Sequence, residues 1–253
     1  MPIKPFDPNA GLDELLQTAQ EQADHDPSSA VDAMRNLGSS AVEAQLAQLQ
    51  DDLKNLPEGA SEHQRALLVL QIGQHLVELE RGKEAWEQVR PQFDAFIRAQ
   101  DWEKAAEACD CLYLADQKGS LSALGQGIWL SVTFPVDPQL SIGLLSHIID
   151  DTPDESDGAA VAAATAHYIA DLRTAENSAE RNNLVFFTSQ MLGNVARRHS
   201  EIENQQQFDF WMERMELTDP SKFLIRLRNV VDVLVQTDWW FNREKLQEQI
   251  PED

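Results

Sequence analysis

The sequence predicts an all-α protein of about twelve helices, set out as antiparallel helical hairpins stacked into an irregular solenoid. Three observations carry that expectation. Apolar residues recur at helical spacing along nearly the whole chain. Ser61, Asp101 and Asp137 stand as capping residues at the head of three such stretches, with links of only a few residues between neighbours. The only segment with the β-branched, aromatic flavour of a strand, Gly127 to Pro135, finds no second strand to pair with and reads as the apolar end of a helix stopped by Pro135.

In chain order, the first helix is expected over 10–25, opened near Asn9 and halted by Asp26-Pro27. From Ser28 to Leu56 the chain is rich in Ala, Gln, Leu, Asp and Glu but interrupted by Gly38-Ser39-Ser40. Leu46, Leu49, Leu53 and Leu56 form a stripe too narrow to bury deeply. Two ordinary helices and a mobile arm or dimer-forming helical pair both fit. Ser61 and Gln64 have capping-box spacing, and the helix they open is apolar on two sides, Ala66, Leu70, Gly73 and Val77 against Val69, Ile72, Leu76 and Leu79, as if sandwiched.

The next helix, Gly82 to Ala99, must break or kink at Arg90 because Pro91 has no amide to donate. Asp101 opens a helix bearing Ala105, Ala106, Cys109, Leu112 and Tyr113, and Asp137-Pro138 opens one through Leu140, Leu144, Leu145, Ile148 and Ile149. Asp150 to Gly158 is the clearest loop and the expected subdomain seam. Beyond it are expected an Ala-rich helix, one over about 179–199 buried along Leu184, Phe187, Met191 and Val195, one around Trp211, one over 221–236, and a last short helix from about Asp238. The implied division is an N-terminal helical arm (1–58), a repeat-like core (59–152) and a C-terminal helical subdomain (153–253).

Composition sets the class: 253 residues with 42% apolar and 25% charged side chains and only 11 Gly and 11 Pro describe a chain that folds around a sizeable core. Its net charge of −23 repels phosphate backbones and anionic lipid, so neither nucleic acid nor membrane is an expected partner. The charge is uneven: residues 1–180 hold 11 Lys+Arg against 31 Asp+Glu, whereas 181–253 hold 9 against 12. Two cysteines, 109 and 111, make no disulfide framework, the N-terminus lacks the apolar run of a secretory signal, and a cytoplasmic protein without an anchor is the expectation.

Ile72-Gly73, Leu76 and Ala85 stand at the mutual offsets of the tetratricopeptide-repeat consensus. Gly82-Lys83-Glu84-Ala85-Trp86-Glu87 and Gln100-Asp101-Trp102-Glu103-Lys104-Ala105-Ala106-Glu107-Ala108 look like that family's turn into its second helix. Over residues 61–131 the chain thus resembles a tetratricopeptide-like right-handed solenoid. The two turn-like segments, however, lie 20 residues apart, against a family repeat of about 34, and no third copy follows in register. The resemblance implies a concave groove for a peptide or helix of another protein. It carries over no binding residues.

Chemistry is thinly signalled. The chain has no phosphate-binding loop, dinucleotide glycine fingerprint, Gly-x-Ser-x-Gly elbow or His-Glu-x-x-His. The residues three before the six histidines 25, 63, 75, 147, 167 and 199 are Gln22, Ala60, Ile72, Leu144, Ala164 and Ala196, so none has the Glu-x-x-His spacing of a di-iron bundle. In the acidic loop, the places of an EF-hand's oxygen donors and bidentate glutamate fall on Pro153, Glu155, Asp157 and Ala164, which is not a calcium loop. Cys109 and Cys111 point about 200° apart on a helix and cannot chelate together; Cys109 reads as core and Cys111 as a surface thiol. His199 reads as a boundary histidine. No cofactor or metal is expected.

The most distinctive surface candidate is Trp239-Trp240-Phe241. On a terminal helix three consecutive aromatics point three ways, which leaves some for a partner to cover. Alternatively Trp239 and Phe241 lock the last helix to the core with Trp240 half exposed. Arg226 and Arg228, with Arg197 and Arg198, would form a basic patch beside them. The functional expectation is a non-catalytic protein-interaction module, an adaptor, scaffold or assembly chaperone, gripping a segment of another, basic protein in an acidic groove. The alternatives are a self-associating subunit that pairs these aromatics across a two-fold axis to form a homodimer, and a helical enzyme with no recognisable motif.

Overall fold

The computed structural model describes residues 27–250. Among the described residues are twelve α-helices, one 3-10 turn and no strand. They are α1 (Pro27–Lys54), α2 (Glu62–Glu78), α3 (Gly82–Val89), the 3-10 turn Arg90–Gln92, α4 (Phe93–Ala99), α5 (Trp102–Leu114), α6 (Ser120–Thr133), α7 (Pro138–Asp151), α8 (Asp157–Arg173), α9 (Ala179–Ser200), α10 (Gln205–Arg214), α11 (Pro220–Val235) and α12 (Arg243–Gln247). The helix expected over 10–25 lies outside the described residues, as does His25.

Local signals place most boundaries. The Ser61 hydroxyl accepts from the Gln64 amide at 3.1 Å while the Gln64 carboxamide accepts from the Ser61 amide at 2.9 Å, a complete capping box. Asp101 caps α5 through Lys104 N at 3.2 Å, and Asp137 caps α7 through Gln139 N and Leu140 N at 2.7 and 3.2 Å. Pro91 does interrupt its helix: α3 ends at Val89, and the 3-10 turn containing Pro91 leads into α4.

The Gly38-Ser39-Ser40 interruption does not occur, because α1 is one helix of 28 residues. A single glycine costs a helix only about 1 kcal/mol, and the Ala-, Gln- and Leu-rich flanks outweigh it. Of the α1 stripe, Leu46 is fully buried with Ile72, Leu76, Ala85 and Ala115, whereas Leu49, Leu53 and Leu56 are only half-buried. Helix α2 supplies the wall that the narrow stripe lies against, with Ala85 of α3 joining the buried cluster.

Gly73 lets α2 approach α3 closely, and Gly82 lets α3 approach the end of α5, because neither carries a side chain. A Cβ on Gly73 would stand 2.1 Å from Val89 Cγ2, and one on Gly82 would stand 2.1 Å from the Ala115 carbonyl oxygen. The same device brings α6 against α5, where a Cβ on Gly127 would lie 2.8 Å from Cys109 Cβ. Helix α6 is buried from Ser122 to Ser131, which explains its strand-like composition: a helix covered on every side has no polar face. Its neighbours are α5, α7 and α11. Helix α8, alanine-rich and buried from Ala159 to Ala166, lies among α7, α9 and α11.

Helix α11 therefore returns to pack on both α6 and α8, closing a four-helix group with α7. One continuous core runs from Ala66 on α2 to Leu246 on α12, passing beneath the exposed 153–155 loop. At the C-terminal end of α6 the open carbonyls are met by Arg173 of α8, whose guanidinium donates to Ser131 O at 2.6 Å, Val132 O at 3.0 Å and Val136 O at 3.1 Å, and to Ser141 Oγ at 3.1 Å. Burial pushes the Arg173 pKa down, yet arginine remains cationic and suits a helix C-terminus.

Cys111 is not a surface thiol. It is 3% exposed, facing Gly73, where a Cβ would come within 3.2 Å of its sulfur. Burial pushes its pKa up to about 12 and that of Cys109 higher still, so both stay protonated and unreactive at neutral pH. The sandwiching of α5 decides this, since both of its faces are covered.

Candidate functional site

The expected helix from Asp238 does not form. Helix α11 stops at Val235, residues Thr237–Asn242 are non-helical, and α12 starts only at Arg243, where the Asn242 side chain caps it by accepting from Lys245 N at 2.9 Å. The buried Gln126 of α6 makes this path possible. Its carboxamide donates to the Asp238 carbonyl at 3.3 Å and accepts from the Trp240 amide at 2.8 Å, pairing with residues two apart as a neighbouring strand would. The Ser122 hydroxyl donates to the same Asp238 carbonyl at 3.2 Å.

With those backbone groups satisfied, all three aromatics reach the protein itself. Trp240 meets Phe93 edge-on at 5.1 Å and Trp86 at 6.3 Å, with the Arg90 guanidinium 3.9 Å above its ring. Phe241 lies 5.2 Å from Trp129 and stacks on Phe93 at 6.1 Å. Trp239 meets Trp129 at 6.2 Å, and Arg243 lies 4.1 Å over it. Each is half-buried. The chain from Asp238 to Phe241 is thus a non-helical segment, bent at Trp240 and Phe241, seated on α3, α4 and α6. Gln126→Ala is expected to cost about 2 kcal/mol, the penalty for stranding two partly buried backbone groups, and to expose a trypsin site at Arg243 measurable by limited proteolysis.

The basic residues lie elsewhere. Arg226 donates to the Met215 carbonyl and pairs with Asp157 at 3.1 Å. Arg197 donates to Asn194 and Arg198 to the Ile149 carbonyl, while Arg228 is exposed on α11. The cations that rest on the aromatics are Arg90 and Arg243. No spacing rule could pair Arg90 with Trp240, 150 positions away.

Uncovered apolar side chains lie elsewhere, on α6, α8 and α11 (Leu121, Leu172, Ile225 and Val233) and, as the exposed aromatics, on α9 and α10. Phe186, Phe187 and Phe210 are 67%, 54% and 65% exposed. On the side of α9 expected to be buried, Val195 is buried and Leu184 and Met191 pack half-buried on the core, but Phe187 falls outside and Thr188, Leu192 and Ala196 complete the buried set. The missed signal is Thr188, a core position despite its hydroxyl, which donates to the Leu184 carbonyl at 2.8 Å.

Flanking α9 are two clefts. One of about 700 Å³ is walled by His167 of α8, Leu192, Gly193 and Arg197 of α9, and Phe208 and Met212 of α10. The other, of about 350 Å³, lies towards α7 and is lined by Ile149, Phe187, Met191, Asn194 and Arg198. Burial lowers the His167 pKa, and its Nδ1 lies 3.1 Å from Thr188 Oγ1, so the ring is neutral at pH 7 and adds no charge to the wall. Both clefts are lined by a mixture of apolar and polar side chains, Ser189, Glu203, Asn204 and Gln205 completing the larger one.

Three histidine–aspartate pairs, His63–Asp101 and His147–Asp110 at 2.8 Å and His199–Asp157 at 3.2 Å, tie helices together. His199, at the boundary as expected, also accepts from Trp211 Nε1 at 3.3 Å. Among the described residues no three His, Cys, Asp or Glu side chains are grouped to hold a metal ion, and no helix is long and apolar enough to cross a membrane. No protein family, curated protein or solved structure matches this chain significantly.

Proposed function

We propose that this chain is a non-catalytic protein-binding module, an adaptor, scaffold or assembly chaperone, that grips a segment of another protein on the face formed by α9 and α10. The observation that carries the reading is the exposure of Phe186, Phe187 and Phe210 on two helices beside clefts of mixed apolar and polar lining. Each such ring forgoes roughly 2 kcal/mol by remaining in water, and aromatic anchors in desolvated pockets are where binding energy concentrates. Helix α9 lies in the less charged part of the chain, while the net −23 around it favours a basic partner and hastens encounter. The tetratricopeptide-like segments of α2 to α6 support the same reading, as stacked helical pairs serve to present a flank to another polypeptide.

The test is affinity capture from the native host with wild type and with Phe186→Ser/Phe187→Ser. Both side chains are exposed, so the double variant should unfold within about 0.5 kcal/mol of wild type. It should lose the specific partner; recovery of the same proteins in the same yield would refute the reading.

A further inference from the structure

We propose that residues 236–250 exchange between two copies of this chain, the Asp238–Phe241 segment of each lying on α3, α4 and α6 of the other in a two-fold dimer. This develops the self-association alternative and is independent of the α9–α10 clefts. The tail docks as a bound peptide would. Its backbone is recognised by a buried carboxamide, its rings enter a site built by residues more than a hundred positions away, and one short hinge tethers it to α11. A contact of that kind forms equally well with a tail from another copy.

Two observations favour the second copy. The hinge residue Gln236 has φ 54° and ψ −113°, a positive φ paired with a ψ far from the left-handed helical region, which a residue with a Cβ adopts only under strain. Folding the tail back onto its own body requires that turn; passing it to a neighbour does not, and strained short hinges invite exchange. In addition, Val233, one turn before the hinge, is 72% exposed, and Leu121, adjacent to the Ser122 that holds the tail, is 58% exposed. The hinge of Gln236, Thr237 and Asp238 spans only about 10 Å when extended, so an exchanged dimer must abut at this end of the molecule, where both residues would be covered.

Position 236 allows opposite substitutions. Proline cannot adopt the positive φ and lacks the amide that donates to Asp232 O at 2.9 Å, so Gln236→Pro excludes the folded-back turn; Gln236→Gly removes its strain. Full-length chains are refolded over a range of concentrations and weighed by light scattering behind a sizing column, with circular dichroism to verify helix content. Gln236→Pro should give a concentration-dependent dimer of twice the 28.5 kDa chain mass, which Trp240→Ala in the same chain returns to monomer. Wild type should dimerise with about tenfold higher affinity than Gln236→Gly, the size expected for relief of one strained backbone position. A folded Gln236→Pro that stays monomeric at every concentration overturns the proposal.

Complementation provides a second test should the proline variant misfold. Trp240→Ala keeps an intact docking surface, and Gln126→Ala keeps an intact tail. Refolded together they should form a heterodimer with one sound tail contact, and refolded separately they should remain monomers. Absence of the heterodimer overturns exchange. So does a synthetic peptide of residues 237–250 that displaces the tail of a chain which never dimerises, because the surface would then serve a foreign segment.

Discussion

Arg173→Met is expected to lower the free energy of unfolding by about 3 kcal/mol, the scale set by charge-assisted hydrogen bonds to groups that burial would otherwise strand. One guanidinium meets Ser131 O, Val132 O and Val136 O, together with Ser141 Oγ. The first two are last-turn carbonyls of α6, which no intrahelical amide can reach. Methionine keeps much of the length and apolar volume, so the loss measures the capping of α6 by α8 and not a cavity. In urea the midpoint should fall with the slope unchanged, and the thermal midpoint should fall by roughly 6–12 °C for a chain of this size. Arg173→Lys should recover part of the loss, since an ammonium supplies the charge without the planar fork. If Arg173→Met unfolds within 0.5 kcal/mol or so of wild type, the capping role is wrong.

Gly82→Ala is expected to cost about 3 kcal/mol, the upper range for overpacking, although alanine is the better helix former by about 1 kcal/mol. The new Cβ would lie 2.1 Å from the Ala115 carbonyl oxygen and 2.9 Å from its carbon. These are backbone atoms at the end of α5, which cannot rotate aside as a side chain can. Gly143→Ala on α7 is the control: nothing lies within 4 Å of its Cβ, so propensity should prevail and stabilise the protein by up to about 1 kcal/mol. Opposite shifts of the two urea midpoints would establish that close approach, not backbone freedom, explains Gly82; a neutral Gly82→Ala would show that α3 and α5 can separate at no cost.

Some of this geometry was legible in advance. Ser61, Asp101, Asp137 and Pro91 act on amides within four residues of themselves, so their effects followed from spacing alone. The all-helical class followed from the 3.6-residue period, and the helical reading of α6, despite its strand-like residues, from the lack of a second strand to pair with it. Errors arose where a neighbour distant in sequence decided the outcome. Cys111 is buried because α5 is covered on both faces, and Leu46 because α2 lies beneath it. The Trp239–Phe241 segment is non-helical and lies on the core because Gln126, more than a hundred residues earlier, satisfies its backbone. Phe187 lies outside for a different reason: Thr188 takes a core position because it satisfies its hydroxyl within its own turn.

By itself the sequence determined that this chain is helical, where most helices begin and break, and that it carries a net charge of −23. Those properties depend on period, capping and composition, which act over a few residues or over the whole chain at once. Only the tertiary structure decided which surfaces remain uncovered: the aromatics of the tail rest on α3, α4 and α6, while Phe186 and Phe187 of α9 face outward. Exposure depends on which distant segments meet, and pairings separated by a hundred residues leave no periodic trace in the residues that make them.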